Sequence, residues 1–343
     1  MNHFWFHFWR LEALALGCML LVSALLQDRR VWAETPSRVK DRFLQEAPKK
    51  WQEYRGFAAR LQGSITGVDE YIKPYRPSQK GRWEIKQNKQ CALVSIEYPK
   101  KGQVVREVLA FNPHYGFRLK RNDTGKDWVL TGLEKENIDS IQFGGMPVSK
   151  LVSDNAMLLF AIHGRQLESL LDDPKFTVTR AEQVSRGGRD LVQIEFDYPH
   201  DANELPFYPI RSGSIWLEPN EYWCVVEYKV RGEWGNGNQT CHMTREFKIV
   251  SGKPVLLREV ETEIADPPHK PDGPGEFKQT GYFELEEPKV LPGDQEFTCS
   301  AFGLPEPFLA RKGTTPWYLW VGLAAFACLL GGAVVRRVAR GSA

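Results

Sequence analysis

The stretch Val192-Gln193-Ile194-Glu195-Phe196-Asp197-Tyr198 alternates apolar and polar side chains without interruption. Successive side chains of a β-strand point to opposite faces of a sheet, so this period of two predicts a strand with one buried and one solvated face. Similar short runs, separated by turn-forming residues, occupy residues 82–85, 91–98, 104–111, 115–119, 128–131, 213–217, 221–230, 239–250, 255–264 and 277–285. The pattern predicts a mainly β fold built on a curved antiparallel sheet or an incomplete β-barrel.

Two segments show helical spacing instead. Apolar side chains recur every three or four positions across residues 35–62, and Pro36 suits a first helical turn. Residues 151–172 are rich in leucine and end before Pro174, which predicts one helix there. An apolar helix face needs a surface to pack on, so both helices are expected to cover the sheet in an α+β fold.

The N-terminal end is predicted to carry an export signal. Residues 13–26 are apolar and uncharged, but a spanning helix needs about 20 such residues. Small or short side chains at Val31 and Ala33 complete the layout of a signal peptide, predicted over residues 1–33. An uncleaved N-terminal anchor is the alternative.

The C-terminal end is predicted to carry a membrane anchor. Residues 317–335 contain no charge and are long enough for one transmembrane helix. Arginines in the tail, 336–343, would keep that tail in the cytoplasm and place the main domain, 34–285, in the periplasm or extracytoplasmic space of a bacterial cell envelope. The proline-rich segment 286–316 between them is predicted to be an extended, partly docked stalk.

Charge and cysteine usage agree with this location. The whole chain has a net charge of +2, and Asp and Glu slightly outnumber Lys and Arg once both ends are set aside. Nucleic acid selects a strong positive patch, so it is not an expected partner. Cysteines at positions 91, 224, 241 and 299 are candidates for disulfides in an oxidising compartment. A bridge between Cys224 and Cys241 would require a bulge, because a turn near Gly235 places Cys224 opposite Glu246.

The sequence offers no constellation that would make an enzyme. It has no Gly-rich phosphate loop, HExxH helix, GxSxG elbow or CxxC pair. Cys241 and His242 are adjacent in a predicted strand, so their side chains point to opposite faces and are not expected to share a metal. Glu195 and Asp197 lie two apart on one strand and are interpreted as part of its solvated face. No catalytic residue, cofactor or metal is predicted.

Aromatic side chains gather in two predicted strands and the turn between them. The candidate ligand-binding residues are Trp216, Tyr222, Trp223, Tyr228 and Trp234. Such a cluster is able to line a cavity for an acyl chain or a peptide, although it more often forms the core of a barrel or sheet. Trp234, in a loop of Gly and Asn, is the member that packing explains least.

The segment Gly213-Ser214-Ile215-Trp216-Leu217-Glu218-Pro219, followed by a strand over 222–228, resembles a pattern of the LolA/LolB-like family. The run 57–61 followed by 83–85 is a looser match. In that family a curved, incomplete β-barrel is plugged by helices around an apolar cavity. The resemblance covers roughly residues 37–285. Such carriers are soluble or lipid-anchored, whereas a domain tethered by 317–335 would not shuttle across the periplasm.

Two functional hypotheses follow. In the first, a membrane-tethered envelope protein binds an apolar ligand, such as a lipid or a lipoprotein acyl chain, in its extracytoplasmic β domain. In the alternative, the domain is a non-catalytic structural or sensory module that binds a partner protein of the envelope.

Overall fold

The computed structural model describes residues 34–73, 76–100, 102–122, 125–135, 140–199, 210–234, 237–266 and 275–307. The predicted signal peptide, transmembrane helix and cytoplasmic tail lie outside the described residues. Among the helices in the described ranges, none combines the length and the apolar character needed to cross a membrane.

One large antiparallel sheet of thirteen strands dominates the fold. Its first half, which follows the helix α1 (Pro36–Ala58), consists of β1 (Gln62–Lys73), β2 (Arg76–Gln87), β3 (Ala92–Lys100), β4 (Gln103–Phe111), β5 (Gly116–Asn122) and β6 (Val129–Glu134). A connecting region follows, with β7 (Gln142–Phe143), β8 (Met146–Pro147), α2 (Val148–Ala156), a 3₁₀ turn (Leu158–Phe160), β9 (Ala161–Ile162), β10 (Arg165–Gln166) and α3 (Leu167–Leu171). The second half consists of β11 (Thr177–Arg186), β12 (Arg189–Asp197), β13 (Ile210–Glu218), β14 (Cys224–Trp234), β15 (Gly237–Val250), β16 (Lys253–Asp266) and β17 (Glu276–Glu286).

The strand order shows how the halves join. Each half is an up-and-down meander, and the last strand, β17, pairs with the first, β1. The sheet remains open, with β6 at one edge and β11 at the other. The predicted mainly β fold, with an open, curved antiparallel sheet and few helices, is confirmed.

Helix α1 covers one face of this sheet, which we call the inner face. The helix begins after Thr35 with Pro36 in its first turn, and it packs against β11. Its buried side chains are Val39, Phe43, Ala47, Trp51, Tyr54, Phe57 and Ala58. Two buried hydrogen bonds fix its position: Trp51 Nε1 donates to the carbonyl of Trp223 at 3.4 Å, and the Tyr54 hydroxyl donates to the carbonyl of Pro254 at 2.6 Å.

The continuous helix predicted over 151–172 is wrong. The segment instead contains the end of α2, a 3₁₀ turn, the β9–β10 hairpin and α3. His163 and Gly164, at the hairpin tip, have φ angles of 45° and 75°. A right-handed helix cannot contain such left-handed residues. The leucine pattern arises because Leu159, Leu167 and Leu170 are buried in the same core from separate short elements.

The other face of the sheet, the outer face, carries a second and smaller core. Phe297 and Cys299, in two 3₁₀ turns of the predicted stalk, are buried against β4 and β5 side chains that include Val108 and Phe117. The Asn112 amide donates to the carbonyl of Phe297 at 2.9 Å. The described part of the stalk, up to residue 307, is therefore docked on the sheet.

The four cysteines of the described ranges are buried and have free thiols. Cys241 lies opposite Val230 in the β14–β15 ladder, whereas Cys224 lies at the far end of β14. The bridge between Cys224 and Cys241 that the sequence left open is therefore absent from the structure.

Candidate functional site

Three glycines lie side by side at the centre of the sheet. The register pairs Gly67 of β1 with Gly81 of β2 on one side and with Gly281 of β17 on the other. Ile65 and Phe283, two positions along the same strands, are buried in the main core, so alternation places the three glycines on the inner face. We call them the glycine row. A Cβ atom at Gly67 would meet no atom within 4 Å, so the space above it is open.

Partly exposed apolar side chains flank the glycine row on one side. The Trp83 ring, two residues beyond Gly81, stands edge-to-face with Phe143 at a centroid distance of 6.0 Å. The Tyr98 ring lies 6.5 Å from the same phenylalanine. Phe143 and Met146 belong to the β7–β8 hairpin, which has only two ladder pairs. A hairpin that short is weakly held, so this hairpin is suited to open over the aromatic group.

Polar side chains flank the glycine row on its other side. Gln279 of β17 pairs in register with Asp69 of β1 and with Glu261 of β16. Its side-chain amide donates to Asp69 Oδ1 at 2.9 Å. Along the strands, the inner face is therefore apolar on one side of the glycine row and polar on the other.

The polar side continues into a largely buried network that we call the polar cluster: His163, Tyr228, Cys241 and Glu261. Glu261 Oε1 accepts from the Tyr228 hydroxyl at 2.8 Å and from the Cys241 thiol at 2.7 Å, and lies 3.0 Å from His163 Nδ1. The His163 backbone N–H donates to the Tyr228 hydroxyl at 2.9 Å. This bond holds His163 in its left-handed conformation, which costs about 1–3 kcal/mol for a residue other than glycine.

Electrostatics in the polar cluster follow from burial and from these hydrogen bonds. Burial favours the neutral form of Glu261, but the hydrogen bonds and charge of His163 and the bonds from Cys241 and Tyr228 outweigh it, lowering the pKa of Glu261 to about 2. Burial raises the pKa of the Cys241 thiol and of the Tyr228 hydroxyl.

Arg245, beside the polar cluster, is almost fully buried and has partners of its own. Its Nη1 donates to the carbonyl of Ala161 at 2.8 Å, and its Nε donates to Glu259 Oε2 at 3.3 Å. The guanidinium charge is therefore matched by Glu259 on the neighbouring strand. A buried charge needs such a partner.

The structure separates the aromatic residues predicted to bind a ligand. Tyr228 belongs to the polar cluster on the inner face. Trp216 lies on the outer face, where the charged groups of Arg186 and Lys229 stand 5.5 and 5.8 Å from its ring centroid. Trp234 pairs through its backbone with Gly237 at the end of β14, and its side chain lies outside the described part of the chain.

Tyr222 and Trp223 form the turn before β14, with φ angles of 60° and 58°. The Trp223 ring is buried 5.6 Å from Phe43, and the Tyr222 ring lies 5.8 Å from Tyr54. Both therefore anchor α1 to the sheet. The four predicted aromatic residues whose side chains the structure describes therefore do not share one surface.

Glu195 and Asp197 line a shallow depression of about 400 Å³ on the outer face. Lys229 and Arg231 also line it, and Asp197 and both cations are exposed. Interleaved charges of both signs at a wetted surface are typical of a solvated sheet face.

Neither the glycine row nor the polar cluster follows from a pattern in the sequence. The glycines contribute no side-chain pattern, and strand β1 was not predicted. The members of the polar cluster are far apart in the chain, in the connecting region and in three strands, so no local spacing relates them. The one available signal was His163-Gly164, a turn-forming pair inside the leucine-rich segment.

Comparisons with known proteins assign no family. No protein-family model matches the chain, and no curated protein does. Among solved structures, a DUF1329 family protein from Desulfovibrio piger has 8% sequence identity and a TM-score of 0.38, covering 75% of this chain and 99% of its own. A LolA superfamily protein from Nitrosomonas europaea has 11% identity and a TM-score of 0.37, covering 75% of this chain and 98% of its own.

Proposed function

We propose that the inner face binds an amphipathic ligand with an acyl chain, such as a lipid or the acyl chain of a lipoprotein. The observation that carries this proposal is the open space above Gly67, between a partly exposed aromatic group and a row of polar side chains. Ligand sites in proteins are mostly apolar, with a few polar groups that fix the orientation of the ligand.

The chemistry of the two sides fits the two ends of such a ligand. An acyl chain would lie against Trp83, Tyr98 and Phe143, where each buried methylene contributes about 0.8 kcal/mol. The polar end would face Asp69 and Gln279. Opening of the β7–β8 hairpin would admit the chain and bring Phe143 back over it. The proposal describes a binding protein and requires no catalytic group.

Photo-crosslinking with a diazirine-labelled fatty acid tests this proposal on the full chain. We expect crosslinked peptides from β2 and from the β7–β8 hairpin. Gly67→Leu fills the open space and displaces two or more methylenes, so we expect about ten-fold weaker labelling.

Gly56→Leu is the matched control, because Gly56 lies on the exposed face of α1 and a Cβ there also meets no atom within 4 Å. It should leave labelling unchanged. Equal labelling of the two variants, or crosslinks confined to the outer face, would overturn the proposal. The better interpretation would then be the alternative, a domain that binds a partner protein.

We also propose that the domain lies outside the cytoplasm and is tethered by residues 317–335. The support is the sequence: an apolar segment of spanning length followed by Arg336 and Arg337, with a predicted signal peptide at the other end. A reporter that is active only in the cytoplasm, fused after Ala343, should be active. Activity of a reporter that works only in the periplasm would contradict the tether.

A further inference from the structure

We propose that His163, Cys241 and Glu261 form a binding site for a divalent transition-metal ion, with Zn²⁺ as the best match. An imidazole nitrogen, a thiol sulfur and a carboxylate oxygen converge there from the β9–β10 hairpin, β15 and β16. The three atoms lie within 4.8 Å of one another. Neither the sequence patterns nor the proposed ligand site on the inner face requires this convergence.

The distances suit a tetrahedral ion. Zn²⁺ holds nitrogen, oxygen and sulfur ligands at about 2.0–2.3 Å, so its ligand atoms are about 3–4 Å apart. In the structure Cys241 Sγ lies 2.7 Å and His163 Nδ1 lies 3.0 Å from Glu261 Oε1. Each separation needs to open by about 1 Å or less for the ion to enter between the atoms.

The charges balance when the ion binds. Metal binding releases the thiol proton of Cys241 to solvent, and His163 binds as neutral imidazole, so the second ring proton of a charged His163 is also released to solvent. One thiolate and one carboxylate then carry two negative charges, which a divalent cation neutralises. Arg245, whose guanidinium lies 5.9 Å from the centroid of the Tyr228 ring, is already paired with Glu259, so its charge has a partner outside the three ligands.

Supporting bonds orient two of the ligands. The Tyr228 hydroxyl donates to Glu261 at 2.8 Å and accepts the backbone N–H of His163 at 2.9 Å. Hydrogen bonds from residues around the ligands commonly fix the orientation of the ligands in metal sites. Three protein ligands leave a fourth position for water or another small ligand. The Glu261 side chain is 21% exposed, so solvent reaches that position.

The proposed site does not use the adjacent pair Cys241-His242. Cys241 and its neighbour His242 do point to opposite faces, since His242 Nε2 contacts Glu227 at 3.0 Å on the outer face. A histidine from the connecting region takes the place that His242 cannot reach.

Cobalt titration tests the site on the full chain after dialysis against a chelator. We expect one Co²⁺ per chain, an absorption band from thiolate-to-cobalt charge transfer, and loss of that band when Zn²⁺ is added. Cys241→Ser should abolish the band. Tyr228→Phe should retain it but weaken binding roughly 10- to 100-fold, the usual cost of losing an outer-shell partner. His163→Ala and Glu261→Gln should weaken binding by more.

Two matched variants control for loss of a histidine or a thiol elsewhere. His242→Ala removes the adjacent histidine on the outer face, and Cys224→Ser removes the buried thiol at the far end of β14; both should retain the band. The wild-type spectrum needs no variant to fold, so absence of the band there is decisive even if the substitutions disrupt the protein. Absence of a charge-transfer band in the wild type, or its persistence in Cys241→Ser, would overturn the proposal. Fatty-acid crosslinking is scored separately and does not depend on this result.

Discussion

At the scale of single residues, the clearest electrostatic feature is the buried carboxylate of Glu107. The Tyr98 hydroxyl donates to its Oε1 at 2.7 Å, and Arg118 Nε donates to its Oε2 at 3.0 Å. Lys120 Nζ lies 3.7 Å from Oε1. One side chain thus connects β3, β4 and β5 beside the proposed ligand site. Its removal would leave two cations without their shared partner.

Glu107 leads to a prediction about acid stability. Burial favours its neutral form, but hydrogen bonds from Tyr98 and Arg118 and the charges of Arg118 and Lys120 outweigh this and lower the pKa of Glu107. Because the pKa of Glu107 is lower in the folded than in the unfolded protein, its ionisation stabilises the fold at any pH above the ordinary glutamate pKa. This stabilisation is lost as the pH falls from that value through the lowered pKa of the folded protein. We expect Glu107→Gln to reduce the free energy of unfolding at neutral pH by about 1.5–3 kcal/mol. This difference should shrink under acid conditions.

Urea denaturation across a pH series measures this difference. Glu97→Gln is the control, since Glu97 pairs with Arg106 at the surface, where such pairs contribute about 0–1 kcal/mol. A wild-type advantage over Glu107→Gln that stays constant or grows below the ordinary glutamate pKa would contradict the mechanism.

The sequence predicts which single residues are buried better than it predicts which residues they contact. The alternation in 192–198 places Val192, Ile194 and Phe196 in the core, and all three are buried there. The same pattern could not predict that Trp216 lies on the outer face and Tyr228 on the inner face. That placement depends on the register between β13 and β14. Tyr222 and Trp223 both have left-handed backbone conformations. Neither is a glycine, so the sequence gives no sign of this turn geometry.

At the scale of elements, the described part of the predicted stalk behaves as a component of the fold. Phe297 is fully buried on the outer face. The backbone N–H of Cys299 donates to the Tyr115 hydroxyl at 3.1 Å, and the same hydroxyl donates to Glu306. The proline content of this segment predicts an extended backbone, but it does not predict which part of the protein the segment packs against. The docking depends on side chains on the outer face of β4 and β5, which include Val108 and Phe117.

This docking predicts the effect of one core truncation. Phe297→Ala should destabilise the segment by about 3–5 kcal/mol, because it removes the ring that fills the smaller core. We expect faster amide hydrogen exchange across residues 294–302 and earlier proteolytic cleavage there. Val290→Ala, at a side chain that is 83% exposed, should change neither by a measurable amount. Unaltered exchange in Phe297→Ala would show that the segment is held by other contacts.

At the scale of the whole molecule, the β1–β17 ladder joins two meanders that are each built from local hairpins. Hairpin neighbours follow from turn signals in the sequence. The β1–β17 ladder does not, because it pairs residues about two hundred positions apart, such as Gly67 and Gly281. The polar cluster and the glycine row both depend on strands near this junction, which explains why the sequence predicted the architecture but not the site. The main core includes residues of both halves, so the two halves should unfold together.

Gly63 tests that cooperativity. Its φ is 142°, and a Cβ there would lie 2.0 Å from the carbonyl oxygen of Glu284 across the β1–β17 ladder. Gly63→Ala must therefore strain the backbone, at a cost of about 1–3 kcal/mol, and force the two strands apart. We expect exchange protection to fall by the same free energy in β3 and in β12, one strand from each half. Gly67→Ala, in the same strand with open space at its Cβ, should leave protection unchanged or slightly raised, since alanine reduces the entropy of the unfolded chain. Loss of protection confined to one half in Gly63→Ala would mean that the β1–β17 ladder connects the two meanders without coupling their stability.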